Sequence, residues 1–357
     1  MVTFMRLVKV EELRAGDILA QDVLSDDYIV LLGKGNRLSE EYVTKIQALF
    51  PSASIYIEED HDHQAVEPKT ILKQTVQKEV KDKVRKVLEQ HTYHNNEKLK
   101  ELSKTAENII VNVLEQEEVV EQIYDIKERS ADLYEHSISV SSLATMTALK
   151  VGLDQKEIYD IAVSSLLHDL GLRYIVVPYE NQDIRFLKKK EYEEYRKHPV
   201  YGYTAIKDEK WMSQRVKEII LQHHEKLDGS GYPFQRKELS MANQIVSMCD
   251  TFDEMICGIG MKRIHVYLAI SNLRNYSGVW YDDELVSTLL QFTAQYPTET
   301  KVRLSTGETG VVIRQNANIP EKPVIKVLKD DKGNPLQENK EINLLQNVKI
   351  TIVEVIN

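Results

Sequence analysis

The sequence predicts a mainly α-helical protein, in which a helical bundle is flanked by a small mixed α/β N-terminal domain and a small β C-terminal subdomain. Three patterns lead to this prediction. Strand-like runs surround one helix near the start, apolar residues then recur at three- and four-residue spacing, and period-two alternation ends the chain. A chain of 357 residues exceeds one ordinary compact domain. We therefore expect domains at 1–65, 66–120, 121–297 and 298–357.

The N-terminal domain combines strands with one helix. Runs rich in Val, Ile, Leu and Tyr, namely RLVKV, DILAQDVL, DYIVLL and SIYIEE, are typical of strands. The segment SEEYVTKIQALF begins with Ser39, a residue type that caps helix N-termini, and therefore predicts a helix. The polar stretch EEDHDHQAVEP predicts a linker to the next domain.

Residues 66–120 have the pattern of amphipathic helices. Apolar residues recur every four positions from Val76 to Leu88, and the pattern resumes after HTYHNNE. We interpret this region as a helical connector packed on its neighbour. A signalling or dimerising coiled coil is the alternative, since similar repeats also form between chains. A homodimer through residues 69–130 is compatible with this pattern.

Composition excludes some classes of function. No apolar run reaches the roughly 18 residues that span a membrane, and no signal-peptide pattern opens the chain. We therefore expect a cytoplasmic protein without a membrane span. Cys249 and Cys257 are too few for a disulfide framework and are expected to be reduced. A net charge of −10 disfavours duplex nucleic acid as a partner.

Histidines and aspartates recur on successive predicted helices of residues 121–297. Apart from two adjacent pairs, successive members are separated by about one helix and a loop, and helices in a bundle can bring such side chains to a common centre. The set comprises His136, His168, Asp169, His198, His223, His224 and Asp250. The remaining histidines have polar or unpatterned surroundings and are expected to be non-ligands: His61, His63, His91, His94 and His265.

Adjacent pairs in this set point to more than one metal. Neighbouring residues on a helix diverge by about 100°, so His168 and Asp169, or His223 and His224, are poorly placed to share one ion. Two metals bridged by a carboxylate use such pairs, and they activate water and bind phosphate oxygens. Phosphoester hydrolysis is therefore the first expectation, and oxygen chemistry on a di-iron centre is compatible with similar ligands. Imidazole and carboxylate together suit Fe, Mn, Zn, Co or Ni.

Five segments of this region resemble the HD-GYP family, a branch of the HD phosphohydrolases. They are YEHSISVSSLA, LLHDLG, KHPVYGYTAI, QHHEKLDGSGYP and IVSMCDTFDEM, in the family order. LRAGDILAQDVLSDD and YPTETKVRLSTGETGVV also resemble segments that accompany the domain in some members, so the resemblance covers nearly the whole chain. It implies a helical HD-type bundle holding two or three divalent metals. Fe and Mn are the first expectation, with Zn, Co and Ni as alternatives.

The resemblance also implies an activity and a set of site residues. The activity is hydrolysis of cyclic di-GMP to pGpG or GMP by a hydroxide that a di- or trinuclear metal centre activates. The implied metal ligands are the seven histidines and aspartates named above, with His168 and Asp169 as the catalytic pair and Asp169 as the bridge. In trinuclear members an acidic residue lies one helical turn before the first histidine. Asp132 occupies that position here and is the candidate for a third metal.

Two family positions that bind the scissile phosphate differ in this chain. The family usually reads HDxGK, whereas Leu172 stands in place of the lysine, and Ile259 stands where an arginine is usual. Arg173, Lys262 and Tyr232 are the remaining candidates for substrate contacts. Replacing a charged phosphate donor costs roughly 1.5–3 kcal/mol, or about ten- to a hundredfold in binding.

The predicted function is therefore that of a metal-dependent phosphodiesterase acting on cyclic di-GMP or a related cyclic dinucleotide. The alternative is an HD-GYP signalling or sensor module of weak or no activity. Such a module would bind a cyclic dinucleotide or, through the GYP turn, a partner protein. The complete ligand set favours the enzyme, while Leu172 and Ile259 favour the module.

Overall fold

The computed structural model describes most of the chain and divides it into two compact units, Met1–Gln64 and Ala65–Asn357. The described residues are 4–10, 13–19, 23–24, 30–33, 36–49, 54–59, 65–66, 71–72, 74–90, 98–114, 124, 126–316 and 319–356. Among them, no helix is both long and apolar enough to cross a membrane. The predicted linker and the HTYHNNE break lie largely outside the described residues.

The first unit is a small mixed α/β fold. Its strands are β1 (Phe4–Lys9), β2 (Ile18–Leu19), β3 (Val23–Leu24), β4 (Val30–Leu32) and β5 (Ser54–Glu59). The antiparallel sheet has the order β1–β5–β2, and β3 pairs with β4. Helix α1 (Glu40–Leu49) follows Ser39, whose hydroxyl accepts the backbone N–H of Tyr42 as the sequence predicts. The apolar side of α1 packs with the sheet into a small core.

The second unit is built around a helical bundle. Its helices are α2 (Gln74–Gln90), α3 (Glu101–Leu114), α4 (Leu133–Lys150), α5 (Gln155–Leu167), α6 (Lys189–Tyr195), α7 (His198–Ile206), α8 (Gln214–Gln222), α9 (Met241–Cys257), α10 (Val266–Tyr276) and α11 (Asp283–Gln291). Two 3₁₀ segments, His168–Tyr174 and Ile184–Phe186, connect α5 to α6. Helices α4 and α9 are buried along most of their length, so they form the centre of the bundle.

The predicted connector is an integral part of this bundle. Val80, Val84, Leu102 and Ile109, on α2 and α3, are buried in the same core as α4 and α5. The apolar stripe that suggested a coiled coil is therefore covered within the chain.

The C-terminal strands form an antiparallel sheet, as their period-two pattern predicts. Strand β6 (Ala65–Val66), from the predicted linker, precedes them, and they are β7 (Lys301–Leu304), β8 (Thr309–Asn316), β9 (Val324–Lys329), β10 (Pro335–Asn343) and β11 (Ile352–Ile356). The strand order is β10–β9–β8–β7–β11, with β6 paired to β8. Alternate residues such as Val302 and Leu304 face a local core, whereas Lys301 and Arg303 are exposed. The predicted fold class is confirmed.

Candidate metal centre

Five imidazoles and two carboxylates meet in the interior of the helical bundle. They are His136 in α4, His168 and Asp169 directly after α5, His198 at the start of α7, His223 and His224 directly after α8, and Asp250 in α9. Each of these residues is at most 5% exposed. The structure thus brings together every member of the histidine and aspartate set that the sequence singled out.

A glycine makes one of these approaches possible. The 3₁₀ segment that begins at His168 packs directly on the start of α7. A Cβ atom added at Gly171 would lie 1.8 Å from the backbone oxygen of His198, closer than any real contact. Because glycine has no side chain, the two backbones come together and their histidines share one centre.

The first half of the centre joins His136, His168 and Asp250. The Nε2 atoms of the two histidines are 3.1 Å apart. Asp250 Oδ1 lies 3.1 Å from the first and 3.2 Å from the second. Asp169 Oδ2 lies 3.5 Å from both imidazoles. Two nitrogens and two carboxylate oxygens therefore converge on one point.

The second half joins His198, His223 and His224. His198 Nε2 lies 3.1 Å from His223 Nε2 and 3.2 Å from His224 Nε2. The other oxygen of Asp169, Oδ1, is 3.1 Å from His198 Nε2 and 3.8 Å from His223 Nε2. Asp169 therefore turns one oxygen to each half, which is the geometry of a bridging carboxylate.

The hydrogen bonds of the imidazoles indicate which ring nitrogens are free to bind a metal. The Nδ1 atoms of His168, His198 and His223 lie 2.7–2.8 Å from backbone carbonyl oxygens three residues earlier. A carbonyl only accepts, so each Nδ1 carries a proton, and in the neutral form of each ring Nε2 presents a lone pair. Lone pairs facing each other at 3.1 Å repel unless a proton or cation lies between them. The donor set therefore fits divalent cations, whose histidine ligands need this outer support.

A buried ion pair holds the remaining imidazole of the first half. Asp253 Oδ2 accepts from His136 Nδ1 at 2.7 Å and from the guanidinium of Arg129, and its Oδ1 accepts from the Ser139 hydroxyl at 2.6 Å. Although burial opposes ionisation, Arg129 and His136 lower the pKa of Asp253 to about 2. The sequence analysis missed this pair. Asp253 lies three residues after Asp250 on one helix face, and that spacing is the signal for it.

The protonation state of two imidazoles in the second half also suits metal binding. Burial lowers the pKa of His223 to about 3, with a further contribution from the neighbouring imidazoles. Burial likewise lowers the pKa of His224. Both rings are therefore neutral near pH 7, which is the form that coordinates a metal.

The GYP turn packs against the second half. A Cβ atom at Gly231 would lie 2.4 Å from the backbone oxygen of His224, so glycine allows the turn to fold back here. Glu225 fixes the turn by accepting the backbone N–H groups of Phe234 at 2.6 Å and Arg236 at 2.9 Å. The turn therefore has a fixed position beside the histidines.

A cavity of about 640 Å³ adjoins the centre. Its wall includes His224, Tyr232 and Glu254 on the side of the histidines and aspartates. Four cationic side chains also line it: Arg185, Arg196, Lys226 and Lys262. A volume of this size suits a small-molecule ligand, and the cations favour an anionic one.

The four cationic side chains of the cavity differ in which of their N–H groups already donate hydrogen bonds within the protein. Lys226 donates to the hydroxyls of Ser247 at 2.9 Å, Thr251 at 3.0 Å and Tyr281, so its three protons are used. The guanidinium of Arg185 is held by Asp183 through two nitrogens.

Arg196, in contrast, stacks on the GYP tyrosine. Its guanidinium lies 4.6 Å from the centroid of the Tyr232 ring, which in turn stacks on the His224 ring at 4.6 Å. No carboxylate within the described part of the chain forms an ion pair with Arg196. This arginine, which the sequence analysis did not single out, is therefore placed beside the centre with its donors unused by acidic partners.

The three residues predicted to contact substrate differ in whether they line the cavity. Tyr232 and Lys262 line the cavity, whereas Arg173 is not among the described residues that form its wall. Leu172 and Ile259 are buried together in an apolar cluster with Val177, Tyr195 and Cys257. The two positions that lack the family's cations thus belong to one buried apolar cluster, the apolar wall, and neither of them lines the cavity.

The acidic candidate for a third metal lies elsewhere. Asp132 caps α4 by accepting the backbone N–H groups of Tyr134 and Glu135, and it pairs with Lys81 at 2.8 Å. Its carboxylate is outside the histidine and aspartate groupings that could hold an ion. Of the expected non-ligands, His265 pairs with Glu128 at 3.2 Å. The other four lie outside the described residues: His61, His63, His91 and His94.

Comparisons with known proteins agree with this architecture. A family model described as an HD domain matches residues 118–285, and one described as a KOW domain associated with HD domain matches residues 301–357. The chain is 26% identical to the cyclic di-GMP phosphodiesterase PA4108 of Pseudomonas aeruginosa over 63% of its own length and 55% of that protein. It thus spans about half the length of this relative.

Two further similarities cover more of the related protein. A cyclic di-GMP phosphodiesterase of Thermotoga maritima is 26% identical over 70% of this chain and 74% of that protein. Among solved structures, an HDG"Y"P protein from Bdellovibrio bacteriovorus aligns with a TM-score of 0.48 and 19% identity. That alignment covers 80% of this chain and 98% of the other. Residues 118–285 match the HD-domain model, so this segment of the chain is an HD domain.

Proposed function

We propose that the chain is a metal-dependent phosphodiesterase that hydrolyses cyclic di-GMP, or a related cyclic dinucleotide, to linear product in the cytoplasm. One observation carries the proposal. Two groups of convergent imidazole nitrogens share Asp169, and the second group reaches the wall of a cation-lined cavity through His224. The relatives named cyclic di-GMP phosphodiesterases support this choice of substrate.

We assign one divalent metal to each half of the centre. His136, His168 and Asp250 would hold the first, His198, His223 and His224 would hold the second, and Asp169 has one oxygen near each half. Fe and Mn are the first expectation for such ligands, with Zn, Co and Ni as alternatives. When bound, such a metal pair lowers the pKa of a coordinated water and neutralises charge on a phosphodiester.

The protein's own groups orient this centre. Backbone carbonyls and Asp253 hold the Nδ1 protons, so the imidazoles present their Nε2 atoms in fixed directions. Arg129 keeps Asp253 ionised in a buried position. Asp253 and Arg129 are therefore positioning residues, whereas His168 and Asp169 belong to the reacting centre.

We propose Arg196 and Lys262 as the main cationic contacts for the phosphates. Lys226 has no proton left to donate and Arg185 is already bound to Asp183. The stack of Arg196 on Tyr232 also provides a planar surface next to the centre, which suits a nucleobase or a phosphate oxygen. These contacts would replace the charge that is missing at the apolar wall.

Replacing Arg196 by methionine is expected to raise KM about ten- to a hundredfold with a smaller change in kcat, because a charged phosphate donor is lost. Arg185→Met is the matched control, since it removes an arginine from the same cavity whose guanidinium Asp183 already holds. Steady-state kinetics on both variants measure the difference. Equal effects of the two substitutions would show that Arg196 has no special contact with substrate.

The central experiment is hydrolysis by metal-analysed protein. Purified protein reconstituted with Fe or Mn is incubated with cyclic di-GMP, and the linear products are separated by chromatography. We expect pGpG or GMP to form, and we expect chelation to stop the reaction. Stoichiometric metal without any product would favour the alternative of an inactive sensor module. The apolar wall of Leu172 and Ile259 is the observation that favours that alternative.

A further inference from the structure

We propose that the hydroxyl of Tyr195 contacts the substrate, by donating a hydrogen bond to a phosphate oxygen of the cyclic dinucleotide in the cavity. This inference rests on the proposed function and deepens it. It names a neutral donor in the part of the fold from which the family's two cations are missing. Tyr195 is the last residue of α6, and its side chain is fully packed inside the protein.

Tyr195 belongs both to the apolar wall and to the cavity. It is buried in the same cluster as Leu172 and Ile259. Of the five buried residues that form this wall in the described part of the chain, Tyr195 is the one that also lines the cavity. The phenol therefore brings a polar atom to the edge of a cluster whose other buried members are Leu, Val, Cys and Ile.

The hydroxyl of Tyr195 lacks a partner inside the protein. It is buried and has no hydrogen-bond partner within the described residues. A buried hydroxyl without a partner destabilises the folded state, so its presence here calls for an explanation. A ligand oxygen that enters the cavity supplies the missing partner.

The nearest backbone is already paired with other residues. A Cβ atom at Gly260 would lie 2.7 Å from the Tyr195 hydroxyl oxygen, so the chain passes directly beside the phenol. The N–H of Gly260 donates to the carbonyl of Tyr179 at 2.9 Å, and its own carbonyl accepts the N–H of Ile184 at 3.1 Å. Gly260 has a φ of +66°, which favours glycine, and the missing side chain leaves room beside the hydroxyl.

Two contacts fix Tyr195 beside the second half of the centre. Its backbone carbonyl accepts the Nδ1 proton of His198 at 2.8 Å. Its ring also meets the His198 ring edge to face, with centroids 5.1 Å apart and an interplanar angle of 67°. His198 is a proposed metal ligand, so the phenol and the centre hold a constant relation. A donor held in this way is preorganised for a ligand that binds at the centre.

A phosphate oxygen is the acceptor that suits this donor. The cavity also contains Arg196 and Lys262, which favour an anionic ligand. A tyrosine hydroxyl keeps its proton near pH 7, and its hydrogen bond to an anionic oxygen is stronger than one to a neutral acceptor. Glu254 is the competing acceptor inside the protein, since its Oε1 lies 3.5 Å from the same Cβ position at Gly260.

Tyr195→Phe tests the contact, because phenylalanine keeps the ring and removes only the hydroxyl. We expect KM for cyclic di-GMP on metal-loaded protein to rise about ten- to a hundredfold, with a smaller change in kcat. The melting temperature should not fall, because the lost hydroxyl has no bond within the protein. Steady-state kinetics and thermal melts on the same preparations measure both quantities.

Tyr179→Phe is the matched control. Its ring lies 6.0 Å from that of Tyr195, but Tyr179 is not among the described residues that line the cavity. The same loss of one hydroxyl from a neighbouring ring should therefore leave KM close to that of wild type.

The outcomes separate this inference from the function on which it rests. Intact hydrolysis with an unchanged KM in Tyr195→Phe would overturn the contact and leave the enzyme standing. A clear fall in the melting temperature of Tyr195→Phe would show that the hydroxyl is bonded internally, as to Glu254, and would also overturn it. If wild-type protein binds cyclic di-GMP without hydrolysing it, the proposed function fails. Calorimetric binding that weakens at least about tenfold in Tyr195→Phe would still support the contact. Neither binding nor hydrolysis by metal-loaded wild type would overturn both proposals.

Discussion

Asp169→Asn is expected to lower kcat/KM by more than about a thousandfold and to reduce the metal content of both halves of the centre. Asp169 turns one oxygen to each half, at 3.5 Å from His136 and His168 and at 3.1 Å from His198. Asparagine keeps one acceptor oxygen but replaces the other with an amide that donates. It also removes a negative charge between the two proposed metal positions. Metal analysis and hydrolysis of cyclic di-GMP measure the two effects on the same preparation.

His265→Asn is the control for this experiment. His265 pairs with Glu128 away from the centre, so its loss should leave metal content and kcat/KM within a few-fold of wild type. Full metal content in Asp169→Asn, with unchanged activity, would show that Asp169 is not a bridging ligand. A melting temperature close to that of wild type would establish that the loss is local to the centre.

Leu172→Lys, which restores the lysine usual in the family, is expected to destabilise the protein by about 2–4 kcal/mol instead of improving substrate binding. Leu172 is 2% exposed and packs with Val177 and Ile259 in the apolar cluster. A charged ammonium at this position would either lose its solvation or force the cluster to open. Urea unfolding followed by circular dichroism measures the free energy of unfolding.

Leu172→Met is the matched variant for this position. Methionine conserves volume and apolar character, so it should cost less than about 1.5 kcal/mol. If Leu172→Lys were as stable as Leu172→Met and lowered KM, the lysine would be reaching the phosphate. The apolar wall would then be no barrier to a cation at this position.

Much of the architecture was predictable from the sequence because its signals are local. Helical and strand periodicities appear along the chain, and Ser39 marks the start of α1. The histidine and aspartate set was also predictable. These residue types are rarely placed in order on successive apolar helices, and the HHEKLDGSGYP segment is a distinctive pattern. The family models match the region and the C-terminal segment that these patterns indicated.

Other features required the tertiary structure. The spacing within α2 and α3 fits both a coiled coil and a packed helix pair, because periodicity does not identify the surface that covers an apolar stripe. The direction of a long cationic side chain likewise depends on its neighbours. Arg173 was therefore chosen from its sequence position, whereas Arg196 lies on Tyr232 through a contact between distant segments.

The sequence by itself determined the fold class, the unusual set of histidines and aspartates, and the absence of the family's two cations at Leu172 and Ile259. The tertiary structure decided how these parts meet. It packs those two residues into one apolar cluster and brings the histidines of four separate segments together around Asp169 and Asp250. The physical reason is that residue type and spacing reflect only the local preference of the chain for helix, strand or turn. Burial, lone-pair direction and charge neighbours arise only when distant helices pack.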